Sequence, residues 1–286
     1  MKLKKLAAVT LAAVSLGTVA AFASCGKDDA DAKKTLKVVE YTLTEEKYAF
    51  AVKEGNTEMK NAADAYLTKI KDKDNGTFNE IILKYQENET SKFVGQAVGS
   101  GEPDDNDLVV LTNTPFGSFE YVGDDGKYYG IDIEIAAGLA AEMNKDLYIK
   151  EWADFDTILN QFNTYPNAIV MAGLSISEDR DKIVDFTQEY FSAGVAVIAL
   201  SSDTTFDSCK SSNDVKAKLA ELSGKKFGYQ NGNTAGEFIA DYKNITAEGY
   251  KTAVLAAQAL LNGSLDYVVV DQSPAQSIVK QLNAIA

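Results

Sequence analysis

Histidine is absent from this 286-residue sequence, and cysteine is almost absent. Without histidine the chain lacks the commonest general base, the usual nitrogen ligand of zinc and the base of a Ser-His-Asp triad. Cys25 and Cys209 are too few for a cysteine-rich metal or redox site. We therefore expect no catalytic residue, no bound metal and no cofactor.

Positive charge is also scarce. The chain contains 28 Lys and Arg but 42 Asp and Glu, which gives a formal net charge of −14. Three of the lysines, Lys2, Lys4 and Lys5, lie at the N-terminus. If that segment is removed, 25 basic and 42 acidic residues remain, for a net charge of 25 − 42 = −17. Such an acidic chain is a poor partner for nucleic acid.

The N-terminal uncharged run at residues 6–21 is shorter than the roughly 20 residues that span a bilayer. It follows the lysines and precedes Phe22-Ala23-Ser24-Cys25, which is typical of an export signal. We predict a signal peptide at 1–24. Cys25 resembles the processing site of bacterial lipoproteins, which implies acylation of Cys25, a lipid-anchor tether at 25–35 and a place on the outer face of the cytoplasmic membrane. Plain secretion is the alternative.

Apolar patterning predicts an α/β protein. Strands are expected at 36–39 and 48–52, and helices at 57–71 and 78–85. The polar, glycine-rich stretch at 87–107 has no periodicity and reads as a linker. From residue 108 onward strands alternate with helices, which indicates mostly parallel sheets flanked by helices. In the C-terminal third, helices are predicted at 215–222, 235–242, 252–261 and 274–281, and strands at 226–229 and 266–270.

Charged and hydroxyl side chains follow several predicted strands. Three pairs have the spacing of a helix capping box, namely Ser175 with Glu178, Thr234 with Glu237, and Ser273 with Gln276. Free N–H groups at such helix starts favour an anion. Arg180 is suited to pair with a carboxylate, and Asp271, at the end of a predicted strand, to receive an ammonium group. Together these residues predict a receptor for a zwitterion.

An ordered set of motifs carries a family resemblance. They are TNTPFGSFE at 112–120, GID at 130–132, DFD at 154–156, MAGLSISEDR at 171–180, VDFT at 184–187, GYQNGNT at 228–234 and DYVVVD at 266–271. This set resembles the family 3 extracellular solute-binding proteins, which supply polar amino acids to ABC importers. The resemblance implies a periplasmic-binding-protein-like fold of two lobes joined by two hinge crossings.

The resemblance also implies a function. We expect a monomer that binds one L-amino acid between closing lobes and delivers it to an ABC transporter permease. An enzyme of dehydratase or lyase type on the same scaffold, or an amino-acid sensor, is the alternative. The ligand-binding residues implied by the family are Asn113, Phe116, Phe155, Ala172, Gly173, Ser175, Arg180, Asn233, Thr234 and Asp271. The motifs carry few further acids, which disfavours a Lys or Arg ligand, with Glu120 as the exception.

Residues 36–85 resemble the far C-terminal end of the same family, through YTLTEEKYAFAVKEGN at 41–56 and DNGTF at 74–78. This order predicts a circular permutation in which 87–107 joins the old termini. Lobe 1 is then expected at 46–193, containing that linker, and lobe 2 with the hinge at 36–45 and 194–286. The tether should enter lobe 2 through residues 36–39. The alternative is a remnant of two tandem copies that swaps segments between chains.

Overall fold

Two separate β-sheets organise the chain in the computed structural model, which describes residues 33–87, 89–97 and 99–285. The predicted signal peptide at 1–24, the acylation of Cys25 and residues 25–32 of the predicted tether lie outside the described residues. Within the described part, no helix is both long and apolar enough to cross a bilayer.

Strands and α-helices alternate strictly along the chain from residue 195 onward. The strands are β1 (Leu36–Val38), β2 (Glu46–Tyr48), β3 (Ala51–Lys53), β4 (Asp107–Thr112), β5 (Tyr121–Val122), β6 (Tyr128–Tyr129), β7 (Asp146–Glu151), β8 (Ile169–Val170), β9 (Val184–Phe186), β10 (Phe191–Ala193), β11 (Val195–Leu200), β12 (Lys225–Gln230), β13 (Ile245–Tyr250) and β14 (Tyr267–Asp271). The α-helices are α1 (Thr57–Ile70), α2 (Phe78–Gln86), α3 (Ile131–Glu142), α4 (Ser212–Glu221), α5 (Thr234–Ala240), α6 (Ala253–Leu261) and α7 (Gln272–Ile285), with 3₁₀ helices at Thr90–Lys92 and Phe155–Asn163.

Each sheet has five strands and forms the centre of one lobe. Sheet 1 has the order β7-β4-β8-β3-β9 and sheet 2 the order β1-β11-β14-β12-β13. We call the residues packed around them lobe 1 and lobe 2. Three strands of each sheet are parallel, β7-β4-β8 in lobe 1 and β14-β12-β13 in lobe 2. The remaining pairings are antiparallel, so the expectation of mostly parallel sheets holds only for these three-stranded parts.

The antiparallel strands come from the segments that pass between the lobes. β2 and β10 pair with each other as a two-stranded ribbon, in which Glu46 lies opposite Ala193. The N–H of Val195 donates to the hydroxyl of Thr44 at 2.9 Å and ties the two segments together on the lobe 2 side. We call this β2–β10 ribbon with its flanking residues the hinge.

The segment 36–53 contributes one strand to each of the two sheets. β1 is antiparallel to β11 at the edge of sheet 2, with Leu36 opposite Leu200. β3 lies inside sheet 1 between β8 and β9. The sequence placed residues 36–39 beside the C-terminal strands, and the pairing of β1 agrees with that expectation.

Apolar residues on both faces of the central strands explain their burial. In β11, Val195, Val197 and Ala199 face one core cluster of lobe 2, whereas Ala196 and Ile198 face the other. A strand covered on both sides is expected to be apolar at every position rather than at alternate ones. The same argument explains the continuous apolar run in β14, which is fully buried.

The helices of lobe 1 begin and pack as their sequence predicts. The side chain of Asn56 caps α1 by accepting a hydrogen bond from the N–H of Met59 at 3.1 Å. The buried residues of α1 recur at helical spacing. The predicted helix at 57–71 is therefore confirmed, and α2 and α3 also lie where the apolar spacing indicated.

Some expectations about local structure were wrong. β13 was not predicted, because its residues alternate between exposed and half-buried positions and include a glycine. The segment at 155–163 is a 3₁₀ helix rather than an α-helix. Residues 87–107 were expected to be a linker without regular structure, but Thr90–Lys92 form a 3₁₀ helix and two neighbouring residues contact lobe 1. The ring of Phe93 stacks on Tyr85 at 4.3 Å between centroids, and the hydroxyl of Tyr148 donates to the carbonyl of Gly101 at 2.6 Å.

Candidate functional site

The carboxylate of Glu46 lies between the two lobes and contacts both of them. Oε2 of Glu46 accepts hydrogen bonds from the Ser175 hydroxyl and, at 2.8 Å, from the Thr234 hydroxyl. Oε1 of Glu46 accepts from the hydroxyl of Thr44 at 3.1 Å. Ser175 follows β8 in lobe 1, and Thr234 begins α5 in lobe 2. The Ser175 and Thr234 hydroxyls therefore hold a carboxylate of the chain itself, which is supplied by the hinge.

Arg180 also joins the lobes. Its Nη1 donates to the carbonyl of Ser175 at 2.6 Å, and its Nη2 donates to the carbonyl of Gly232 in lobe 2 at 2.8 Å. Its guanidinium carbon lies 5.6 Å from the centre of the Phe155 ring, within the range of a cation–π contact. Burial lowers the pKa of Arg180, while Glu237, Glu46 and Asp271 act in the opposite direction. Arginine stays protonated in proteins, so a positive charge lies beside these carboxylates.

Asp271 is buried at the end of β14, and its surroundings disfavour its ionised form. Oδ2 accepts from the side-chain amide of Asn233 at 3.3 Å. Oδ1 has no hydrogen-bond partner among the described residues. Burial, with the nearby Glu46 carboxylate as the second cause, raises the pKa of Asp271. An ammonium group placed beside Asp271 would favour the ionised form again.

Asn113 and Gln230 form a further contact between the lobes. The side-chain amide of Gln230 donates to Oδ1 of Asn113 at 2.9 Å, and Nδ2 of Asn113 donates to the carbonyl of Trp152 at 2.7 Å. Both side chains are buried. They lie at the carboxyl ends of the parallel strands β12 and β4, where open α/β sheets bind ligands.

Two glycines allow the chain to pass very close to its neighbours at this site. Gly173 has φ +52°, and a Cβ there would lie 2.4 Å from the ring of Phe116. Gly232 has φ +76°, and a Cβ there would lie 2.5 Å from the Cα of Asp156 in the other lobe. A side chain at either position would force the two segments apart.

The ten residues implied by the family resemblance form two sets. Asn113, Phe155, Ser175, Arg180, Asn233, Thr234 and Asp271 lie along the contact between the lobes. Phe116, Ala172 and Gly173 lie behind it in lobe 1. Ala172 packs in an apolar cluster, and the N–H of Gly173 donates to Oδ2 of Asp132 at 2.8 Å.

None of the three predicted capping boxes is present. Residues 178–183 form turns, so Ser175 does not begin a helix. The N-cap of α5 is Asn233, whose Oδ1 accepts from the N–H of Ala235 at 2.9 Å, and this leaves the Thr234 hydroxyl free to bind Glu46. The helix α7 begins at Gln272, so Ser273 lies inside its first turn. The anion is held by hydroxyl groups rather than by helix starts.

A second pair of acids is buried inside lobe 1. Oδ1 of Asp132 accepts from the hydroxyl of Tyr190 at 2.6 Å, and burial raises the pKa of Asp132 to about 7. Neither carboxyl oxygen of Glu120 has a hydrogen-bond partner among the described residues. Burial, followed by the Asp132 charge, raises the pKa of Glu120 well above its ordinary value. We call Glu120 and Asp132 the lobe 1 acid pair.

The sequence motifs missed Glu46, Gln230 and the carbonyl of Gly232. Glu46 lies in the 41–56 motif, which indicates only the circular permutation, although its position just before the buried Tyr48 and Ala49 places it on the ribbon between the lobes. Its presence also contradicts the premise that few acids line the site. Within the described ranges, no cluster of three or more acidic or cysteine side chains is arranged to hold a metal ion.

Comparison with known proteins gives consistent matches. The family described as bacterial extracellular solute-binding proteins, family 3, matches residues 108–283. The ABC transporter arginine-binding protein 1 of Escherichia coli (strain K12) is 28% identical over 157 residues, which is 54% of this chain and 58% of that protein. This chain therefore spans less than two thirds of that relative.

Two solved structures share the fold. An ancestral arginine-binding protein bound to glutamine is 32% identical, with a TM-score of 0.55 over 63% of this chain and 75% of that one. The ancestral amino acid-binding protein AncCDT-1, described as a precursor of cyclohexadienyl dehydratase, is 26% identical, with a TM-score of 0.54 over 62% and 75% of the respective chains. The protein that is similar in sequence and the two that also share the fold are therefore all described as amino-acid-binding proteins.

Proposed function

Because the chain belongs to the bacterial extracellular solute-binding proteins of family 3, we propose that it binds one L-amino acid between its lobes and delivers it to the permease of an ABC importer. The observation that carries this proposal is the Glu46 carboxylate, which accepts hydrogen bonds from Ser175 in lobe 1 and Thr234 in lobe 2. A position that holds one carboxylate with donors from both lobes is chemically suited to the carboxylate of an amino acid.

In the proposed complex the two charged ends of the ligand meet different groups. The α-carboxylate accepts from the Ser175 and Thr234 hydroxyls and pairs with Arg180. The α-ammonium binds Asp271, whose Oδ1 is unpartnered among the described residues. Ligand binding then closes the lobes about the hinge. Two of the similar proteins, one from Escherichia coli and one ancestral, are arginine-binding proteins, and the ancestral one was solved with glutamine bound.

A thermal-shift screen tests this function. The twenty amino acids, cystine and ornithine are added to the full chain, and the melting temperature is measured. At 100 times its Kd a ligand stabilises the folded protein by about 2.7 kcal/mol. We expect at least one amino acid to raise the melting temperature, and its analogue without the α-amino group to have little effect. Equal shifts with both compounds would remove Asp271 from its proposed role.

An enzymatic activity is the second candidate, because AncCDT-1 is described as a precursor of a dehydratase. The chain contains no histidine, and Glu120 and Asp132 are enclosed within lobe 1. We propose binding without covalent chemistry. Nuclear magnetic resonance spectra of each amino acid that binds, recorded before and after prolonged incubation with the protein, should be identical. Loss of the added compound would favour the enzyme instead.

Export and lipid anchoring at Cys25 are part of the same proposal, and the lysines, the uncharged run and the small residues before Cys25 support them. A cell supplied with labelled palmitate should label the wild-type chain and not Cys25→Ser. The control Cys209→Ser should be labelled as the wild type is. Labelling of Cys25→Ser would show that the acyl group is attached elsewhere.

We propose that circular permutation explains why residues 36–85, which resemble the C-terminal end of the family, come first in this chain. The family match begins at residue 108, yet β1 and β3 from the preceding segment are strands of the two sheets. A chain in which residues 36–86 follow Ile285 should bind the same amino acid within about threefold in Kd, a difference under about 0.7 kcal/mol. The tandem-copy alternative requires segments exchanged between chains, so a dimer in mass measurements of the wild type would favour it.

A further inference from the structure

Glu46 lies on the hinge ribbon, and its side chain links both lobes to that ribbon. Its Oε2 accepts from one hydroxyl of each lobe, Ser175 and Thr234, while Thr44 beside it binds Oε1. Its side chain is partly exposed, whereas Ser175 is buried. One oxygen atom therefore connects lobe 1, lobe 2 and the crossing between them.

The hydroxyl donors cannot serve two carboxylates at once. A serine or threonine hydroxyl carries one hydrogen and so donates one hydrogen bond. In this structure the hydrogens of Ser175 and Thr234 are directed to Glu46. These are the two hydroxyls that the proposed function assigns to the α-carboxylate of the ligand. The ligand and Glu46 must therefore compete for them.

Charge leads to the same conclusion. Asp271 and Glu46 are close enough for Glu46 to raise the pKa of Asp271, and Arg180 is the cation that interacts with both. A third carboxylate at this point would place three acidic groups around one guanidinium. Like charges at short distance in a partly buried site disfavour ionisation of all of them. Joint occupancy of the hydroxyl pair by Glu46 and a ligand is therefore unfavourable.

We propose that Glu46 is an internal competitor of the ligand, a side-chain carboxylate that holds the two lobes together through Ser175 and Thr234 until an amino acid displaces it. This inference rests on the proposed function. When a protein is divided between a competent and a blocked form, the apparent Kd equals the intrinsic Kd divided by the competent fraction. Glu46 thus lowers the apparent affinity and raises the concentration at which the ligand occupies the site.

The first experiment compares Glu46→Ala with Glu45→Ala in the full chain. Both variants lose one negative charge at adjacent positions, but the side chain of Glu45 is exposed. Calorimetric titrations use L-arginine, L-glutamine and L-cystine as probes. We expect Glu46→Ala to bind the preferred probe at least about tenfold more tightly than the wild type, a gain of about 1.4 kcal/mol. Glu45→Ala should stay within about twofold.

Glu46→Gln separates charge from shape and guards against a folding defect in the alanine variant. Glutamine retains an oxygen that accepts a hydrogen bond but is neutral, and hydrogen bonds to charged groups are the stronger ones. We expect an affinity between those of the wild type and Glu46→Ala. Unchanged or weaker binding by both variants would overturn the proposal, and weaker binding would indicate that Glu46 contacts the ammonium group of the ligand.

A second readout needs no amino acid. Small-angle X-ray scattering of the protein alone should give a larger radius of gyration for Glu46→Ala than for the wild type and Glu45→Ala, because the link between the lobes is lost. If the variant expands but no probe binds any of the proteins, Glu46 links the lobes but competes with no ligand, and the proposed function fails. If the probes bind equally and the radius is unchanged, the function stands and the competitor is refuted.

Discussion

Two pairs of acids lie within the same molecule and differ in what surrounds them. Glu46 and Asp271 lie between the lobes beside Arg180 and two hydroxyl donors. The lobe 1 acid pair has only neutral donors, which all serve Asp132. The ionised form of a buried carboxyl needs an opposite charge or several donors. Only the pair between the lobes has a cation at hand, so only that pair is suited to bind a charged ligand.

Removal of Arg180, the cation between the lobes, should have the largest effect, and it should reduce the affinity for the ligand. Arg180→Ala would leave the α-carboxylate of the bound ligand without its proposed positive partner. Breaking a buried ion pair costs on the order of 3 to 5 kcal/mol, or more than about 100-fold in affinity. Calorimetry with the preferred amino acid measures this loss. Lys182→Ala removes an exposed cation nearby and should change affinity by less than about twofold. A loss below tenfold for Arg180→Ala would rule out the assignment.

The lobe 1 acid pair should instead make the free energy of unfolding depend on pH. Burial raises the folded-state pKa of Glu120 above that of the unfolded chain, so the folded protein retains a proton that the unfolded chain releases. Stability then falls as pH rises from about 4 towards the folded pKa. Glu120→Gln abolishes this contribution.

The expected advantage of Glu120→Gln grows by about 1.4 kcal/mol per pH unit within that window. Urea unfolding at pH 5, 6 and 7 measures the difference in unfolding free energy from the wild type. Glu54→Gln, which changes an exposed acid, should give a difference that does not vary with pH. A flat difference for Glu120→Gln as well would mean that Glu120 is ionised in the folded protein.

Tyr190→Phe tests whether neutral donors stabilise the lobe 1 acid pair. The variant retains the ring that stacks on Phe50 but loses the hydroxyl that donates to Asp132. Loss of a buried hydrogen-bond donor costs about 1 to 3 kcal/mol, measured by urea unfolding at pH 7. Tyr129→Phe removes an exposed hydroxyl bound to Asp125 and should cost far less. Equal effects of the two variants would contradict the contrast between buried and exposed donors.

Asn233→Ala should have the smallest effect. It separates the two roles of the Asn233 side chain, which caps α5 and donates to Asp271. Loss of the N-cap of α5 costs about 1 kcal/mol of stability. Thr252→Ala removes the N-cap of α6, whose hydroxyl accepts only from the N–H of Leu255 among the described residues, and should cost a similar amount. Only Asn233→Ala should also weaken amino-acid binding, by about tenfold at most, because Asp271 loses its amide donor. Unchanged affinity would leave Asn233 with a capping role alone.

The sequence predicted much of the fold because most elements carry local information. The spacing in α1 and the apolar run in β14 identify these elements without any tertiary contact. β13 escaped prediction because an edge strand that is only partly buried has weak patterning. The capping boxes failed for another reason. Ser175 and Thr234 had the right spacing, but their hydroxyls bind a residue that is distant in the sequence.

For this protein, the residues alone determined the class of fold, the family and most of the side chains that line the contact between the lobes. Those features depend on periodicity and on motifs that are contiguous in the chain. Only the tertiary structure decided which groups face each other. Glu46 meets Thr234 across 188 residues of sequence, and Gln230 meets Asn113 across 117. Contacts of this range depend on how two sheets are placed about a hinge, and no local pattern records that placement.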